Sequence, residues 1–114
     1  MTKIQALEEA EVERTEEEKM AIAEEIVRQL GGRRFIMMTG AYDFLTLDNG
    51  VQFKLLGGFT KQGISLVEVI LEPSDTYRVR FEAAGGRTAS EHENIYNDQL
   101  RELFTSETGL DTHL

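Results

Sequence analysis

The chain has 114 residues and no cysteine, which suits one domain with its own core and excludes a disulfide framework, a thiol nucleophile and a cysteine-held zinc site. Its formal charge is -9, with 21 acidic residues against 12 basic ones, and this disfavours general nucleic-acid binding because phosphate contacts need clustered Lys and Arg. No apolar run approaches the ~20 residues of a membrane span. The opening Met1-Thr-Lys-Ile-Gln-Ala-Leu7 lacks the basic start and apolar stretch of an export signal, so a cytoplasmic protein without membrane contact is expected.

The charge is uneven. Residues 1–30 hold nine acids and four bases, whereas residues 33–87 hold six acids and seven bases, so acidity concentrates at the two ends. Residues 1–14 offer little to bury beyond Ile4, Leu7 and Val12 and are expected to form a flexible acidic lead. The remainder, 15–114, reads as a single α+β domain.

Thr15-Glu-Glu-Glu18 is a capping box, in which the threonine hydroxyl and the fourth residue's carboxylate each satisfy the other's backbone amide. Met20, Ala23, Val27 and Leu30 then recur at helical spacing, with Ile22 and Ile26 beside them, up to a stop at Gly31-Gly32. That stripe either packs on a sheet or forms a dimer seam. Phe35-Ile-Met-Met38 reads as a short strand. Residues 42–56 read as a hairpin around a type I′ Asn49-Gly50 turn, which would set Asp48 opposite Val51, Thr46 opposite Phe53 and Phe44 opposite Leu55. In that register Phe44, Val51, Phe53 and Leu55 share one face.

The glycine-rich stretch 57–63 is expected to be a long hairpin connection; it lacks the spacing of a phosphate-binding loop, and no helix opens after it. Ile64-Ser-Leu-Val-Glu-Val-Ile-Leu71 is apolar on both faces, as in a central strand covered on both sides or buried in a dimer. Glu72-Pro-Ser-Asp-Thr76 is a turn. The next strand alternates, with Tyr77, Val79 and Phe81 inward and Arg78, Arg80 and Glu82 outward. Gly85-Gly86 is expected to end the sheet. Ser90-Glu-His-Glu93 reads as a second capping box opening a helix with Tyr96, Leu100, Leu103 and Phe104 inward and Gly109 as its stop. The expected fold is α+β, with an antiparallel sheet of four to five strands in a meander and an N-terminal and a C-terminal helix packing on it.

Catalytic chemistry finds little support. Glu91, His92 and Glu93 are consecutive, whereas metal ligands on a helix converge at i, i+3 or i, i+4. His113 falls in the tail, and no Gly-x-Ser-x-Gly elbow is present. No catalytic residue, cofactor or metal is assigned. The one cationic surface in prospect is the outward face of the sheet with Lys54, Arg78 and Arg80, flanked by Arg33, Arg34 and Arg87, which could meet nucleic acid with Phe59 or Tyr42 for stacking, or could form an ordinary solvated face paired to Glu68 and Glu82.

The helix-sheet-helix order resembles the double-stranded-RNA-binding domain, but Ser90-Glu-His-Glu93 stands where that family carries a lysine-rich helix start, so its function is not transferred. The segments Leu30-Gly-Gly-Arg-Arg-Phe-Ile-Met-Met-Thr-Gly-Ala41, Phe53-Lys-Leu55, Val69-Ile-Leu-Glu-Pro-Ser-Asp-Thr-Tyr77, Glu91-His92 and Tyr96-Asn-Asp-Gln-Leu-Arg-Glu-Leu-Phe104, with Phe44, Phe81 and Thr108-Gly-Leu110, carry a second likeness. Over residues 25–112 the chain resembles a group of short bacteriophage and prophage proteins of unassigned function. The resemblance implies an origin in a mobile element and no particular activity. The expected function is that of a non-enzymatic module binding a protein partner, with a homodimer as one form and a nucleic-acid-binding accessory protein as the alternative.

Overall fold

The structure, a computed structural model, describes residues 14–112. The expected flexible lead therefore lies almost wholly outside the described residues, as does His113. The elements are α1 (Glu16–Leu30), α2 (Gly32–Thr39), β1 (Tyr42–Leu47), β2 (Gly50–Lys54), β3 (Ile64–Leu71), β4 (Tyr77–Ala83), β5 (Thr88–Ile95) and α3 (Leu100–Thr108). The five strands form one antiparallel sheet in the order β1-β2-β3-β4-β5, a meander, and the fold is α+β.

Helix α1 begins at the expected box. Thr15 Oγ1 accepts from the Glu18 amide at 3.1 Å, and Glu18 Oε1 accepts from the Thr15 amide at 3.0 Å. Thr15→Ala should cost about 1 kcal/mol, read as a lowered urea midpoint at unchanged slope. An effect below ~0.3 kcal/mol would show that α1 is held by packing alone. Ala23, Ile26 and Leu30 of the stripe are buried, so the stripe packs on the sheet, while Met20 stays half exposed.

Residues 35–38 are helical, not extended, and this corrects the expectation of a strand there. The reason is the period of burial. Only Phe35 and Thr39, four apart, point inward, while Ile36 and Met37 face solvent. Gly31, at φ 132°, turns the chain between α1 and α2, where a Cβ would come within 3.0 Å of Phe35 Cβ. Thr39 Oγ1 donates to the Phe35 carbonyl at 2.8 Å and accepts from the Ala41 amide at 3.2 Å, and left-handed Gly40 ends the helix. Helix α3 closes in the same way: Thr108 bonds the Phe104 carbonyl and the Leu110 amide, and Gly109 is left-handed. The two phenylalanines meet edge to face, with centroids 5.1 Å apart.

The strand lost at 35–38 is replaced at the other end. Residues 88–95 form β5, so Gly85-Gly86 makes a tight turn instead of ending the sheet, and Ser90-Glu-His-Glu93 caps no helix. A local capping pattern yields here to the open hydrogen-bonding edge of β4, which pairs from Tyr77↔Ile95 to Glu82↔Thr88. Helix α3 starts later than expected, after a 3₁₀ turn in which Gln99 Oε1 accepts from the Tyr96 amide at 2.8 Å. Leu100 and Phe104 are buried as expected; Tyr96 lies before the helix and is exposed.

The hairpin register is also corrected. Leu47 pairs with Gly50 and Thr46 with Val51, two residues from the expected alignment, so the loop is Asp48-Asn49. Gly50 has no positive φ, which removes the type I′ turn. The face assignment survives because the shift is even: Val51, Phe53 and Leu55 are buried, and Phe44 packs its ring on Phe53 at 5.2 Å. Asn49 is tied to β3 instead, its carbonyl accepting from the Leu71 amide at 2.7 Å and its Nδ2 donating to the Leu71 carbonyl at 3.2 Å.

One core joins Ile26, Leu30, Phe35, Leu100 and Phe104 of the helices to Val51, Phe53, Val67, Val69, Tyr77, Val79 and Phe81 of the sheet. The helices therefore lie on one face of the sheet. Strand β3 is central but helix-covered on that side only; outward Leu66 and Ile70 are half-buried among charged neighbours.

Candidate functional site

The outward face of the sheet carries Lys54, Arg78 and Arg80, and each is held by a carboxylate. Lys54 Nζ lies 3.0 Å from Asp43 Oδ2, Arg78 Nε 2.8 Å from Glu72 Oε2, and Arg80 Nη2 2.8 Å from Glu68 Oε1 and 3.1 Å from Glu82 Oε2. Glu91 also approaches Arg78, at 3.5 Å. Hydrogen bonding to Asp43 holds the Lys54 ammonium above its ordinary value, and the bond to Glu72 does the same for Arg78. The sheet register explains the pairing. Glu68 lies directly opposite Arg80, and Arg80 opposite Glu91. Five acids thus surround three bases on this face, so a phosphate would have to displace a carboxylate from each cation.

The Glu91-His92-Glu93 cluster separates as alternation on a strand requires. His92 turns inward opposite Val79, against the edge of the Phe81 ring at 6.0 Å, while Glu91 turns outward to Arg78. His92 Nε2 lies 3.6 Å from Glu107 Oε1, which also accepts from Ser90 Oγ at 2.7 Å. This Ser-Glu-His group has the hydroxyl on the carboxylate and not on the imidazole, so the imidazole is not placed to take the hydroxyl proton. Its evident role is to dock α3 on β5. Among the described residues there is no group of three or more acidic or histidine side chains that could hold a metal.

The feature that sequence reading missed lies at the first edge strand. The sheet has two edges of unlike chemistry. Strand β5 presents Thr88-Ala-Ser-Glu-His-Glu-Asn-Ile95, charged and polar, and edges of this kind resist pairing. Strand β1 presents Tyr42-Asp-Phe-Leu-Thr-Leu47, with Tyr42, Phe44 and Leu45 exposed, and its only blunting device is a bulge at Asp43, where φ is 57°. Above the inner face of β1 the helical layer has a gap. Helix α1 passes over β1 and β2, the chain turns at Gly31, and α2 leads away. The gap is a groove of about 420 Å³ lined by Ala23, Val27, Ile36, Phe44 and Val51, with Glu24, Arg28 and Arg33 on its margins. Met37, 76% exposed, continues the apolar surface along α2. The signal available in the sequence was the helical spacing of Val27 and of Phe35 with Thr39, which leaves Ile36 and Met37 outside.

The fold and this groove define a two-layer α+β domain with an apolar recess beside an open sheet edge, a geometry suited to receiving another chain. Comparison with protein-family models, with curated proteins and with solved structures gave no match in any of the three. None of the helices is long and apolar enough to cross a membrane, among the described residues.

Proposed function

We propose that the protein is a protein-binding module without catalytic activity, working in the bacterial cytoplasm, and that its partner docks in the α1–α2–β1 groove. One observation carries the reading: Ile36 and Phe44 remain substantially exposed, at 37% and 38%, over an almost wholly apolar recess, although the same core buries four other phenylalanines completely or nearly so. Exposing large apolar side chains beside an open strand edge invites association and is retained where a partner covers it. The resemblance over residues 25–112 supports a phage or prophage origin. The outward cations Lys54, Arg78 and Arg80 support the alternative of nucleic-acid binding less well, because carboxylates occupy all three.

The test is recovery of partners from bacterial lysate on the tagged protein, with and without nuclease, alongside Ile36→Glu. The expected result is a protein partner that survives nuclease and is lost, by roughly tenfold or more, from the variant, since a hot-spot truncation commonly costs at least ~2 kcal/mol. Circular dichroism of the variant checks that α2 is intact. Partners that vanish with nuclease, and whose loss follows charge reversal at Arg78 and Arg80, would replace this reading by the nucleic-acid one.

A further inference from the structure

The chemistry of the groove's partner is written in the charges beside it. Helix α2, Gly-Arg-Arg-Phe-Ile-Met-Met-Thr, contains two cations and no acid. Arg33 and Arg34 are both exposed, and neither makes an ion pair among the described residues. Lys61, Arg87 and Arg101 also make no ion pair among the described residues, but none of them lines the groove, and Lys61 and Arg101 are bonded to the Ser106 carbonyl and the Thr112 hydroxyl. Five other cations are held by carboxylates. Lys19 is held by Glu16 and Asp48, Arg28 by Glu25, and Lys54, Arg78 and Arg80 as described above. In a chain with 21 acids and 12 bases, these two adjacent guanidinium groups stand without carboxylates beside the groove. Their position is informative as well. Arg33 borders the apolar groove, and together with Arg34, Met37 and Met38 it lines a second depression of about 560 Å³ on the far side of α2. Apolar recess, guanidinium pair and methionine surface thus run continuously over one helix. Methionine adapts its shape to varied partners, and arginine binds carboxylates through two parallel hydrogen bonds.

We infer, building on the groove as the docking site, that the partner is an acidic segment of another protein. Its large apolar side chains enter between Ile36 and Phe44, and its carboxylates meet Arg33 and Arg34. A long polyanion such as nucleic acid would feel the net charge of -9 over its whole length, whereas a short acidic segment feels mainly the local pair, since screening limits the reach of surface charge to about 8 Å at physiological salt. The apolar lining supplies affinity and the arginines supply selection and encounter rate.

The test uses the full chain and a displayed library of random 16-residue peptides. Peptides are selected on the wild-type protein and sorted by loss of binding to Ile36→Glu. The groove-dependent peptides are expected to combine bulky apolar residues with a surplus of Asp and Glu. Binding of a synthetic copy should fall about tenfold on the double substitution Arg33→Glu with Arg34→Glu, and the difference should shrink as salt rises from about 50 to 500 mM. Groove-dependent peptides that are neutral or basic, or that bind the double variant equally well, would overturn the acidic-partner inference while leaving the groove intact as a docking site. A library yielding no groove-dependent peptide would overturn the docking reading itself. Two competitors and a sedimentation measurement distinguish the source. The inference falls if a synthetic peptide of residues 1–13 displaces the selected peptides more tightly than they bind, if a 20-nucleotide single strand does so, or if sedimentation shows a dimer that Ile36→Glu dissociates.

Discussion

Phe53→Ala is expected to lower stability by about 3–5 kcal/mol, the range for removing a fully buried aromatic side chain. Phe53 is wholly inaccessible on β2 and its ring touches three others: Phe35 of α2 at 5.5 Å, Phe44 of β1 at 5.2 Å and Phe104 of α3 at 6.2 Å. The substitution therefore removes apolar surface and also the common contact of two helices and an edge strand. Because a domain of this size is stable by only some 5–15 kcal/mol, the loss is a large fraction of the whole. With a urea slope near 2 kcal/mol/M, the unfolding midpoint should fall by roughly 1.5–2.5 M. Phe44→Ala is the matched comparison, since its ring contacts Phe53 but stays 38% exposed, and it should cost markedly less. Equal losses from the two would mean that the core is not organised around Phe53.

Gly50→Ala should destabilise by about 3 kcal/mol, the upper part of the range for overpacking. A Cβ built at Gly50 would sit 2.1 Å from the Val69 carbonyl oxygen and 3.0 Å from Ile70 Cα. Both atoms belong to the backbone of the neighbouring strand, opposite which Gly50 is paired, so no side-chain rotation relieves the clash and β2 and β3 must separate locally. Gly58→Ala provides the control. Nothing lies within 4 Å of its added Cβ and its φ is not left-handed, so it should change stability by no more than ~0.5 kcal/mol. A neutral Gly50→Ala would show that the hairpin tip relaxes freely and would return Gly50 to a turn role alone. The two explanations of this glycine differ in kind. Asn-Gly suggests a residue chosen for positive φ, whereas the structure shows one chosen for absence of a side chain next to a backbone oxygen.

Several elements were legible because their signals are local. The Thr15 box depends on residues three apart, the alternation of β4 on its own side chains, and the Glu72-Pro-Ser-Asp turn on residues that form it directly, including left-handed Asp75. The Glu72 amide bonds the Thr76 carbonyl at 2.8 Å within that same turn. Phe35-Ile-Met-Met38 failed for a physical reason as well. Four consecutive apolar residues carry no period, and only the sharing of Phe35 between Phe53 and Phe104 shows which two of the segment's residues face inward. A clue was present, since Phe-x-x-x-Thr-Gly occurs at both residues 35–40 and 104–109, and in each copy the threonine bonds the phenylalanine carbonyl one turn back. The polar strand β5 carried a helix-start pattern of its own and was decided by the edge of β4.

The candidate site followed the same division. Lys54, Arg78 and Arg80 lie on one outward face as alternation predicts, and Glu68 and Glu82 pair with Arg80 as the solvated-face reading expects, whereas Asp43 at a bulge, Glu72 in the turn before β4 and Glu91 on a strand read as a helix start were decided by the tertiary structure. The groove is further still from the sequence, being a space left between α1, α2 and β1. By itself the sequence determined the α+β class, the first helix and its cap, the inward faces of β2 and β4 and the concentration of acid at the ends, because each follows from spacing or composition within a short stretch. Tertiary structure alone decided that residues 32–39 coil, that residues 88–95 pair, and that Ile36, Phe44 and Arg33 meet at one recess, because each depends on what neighbouring elements bury and leave open.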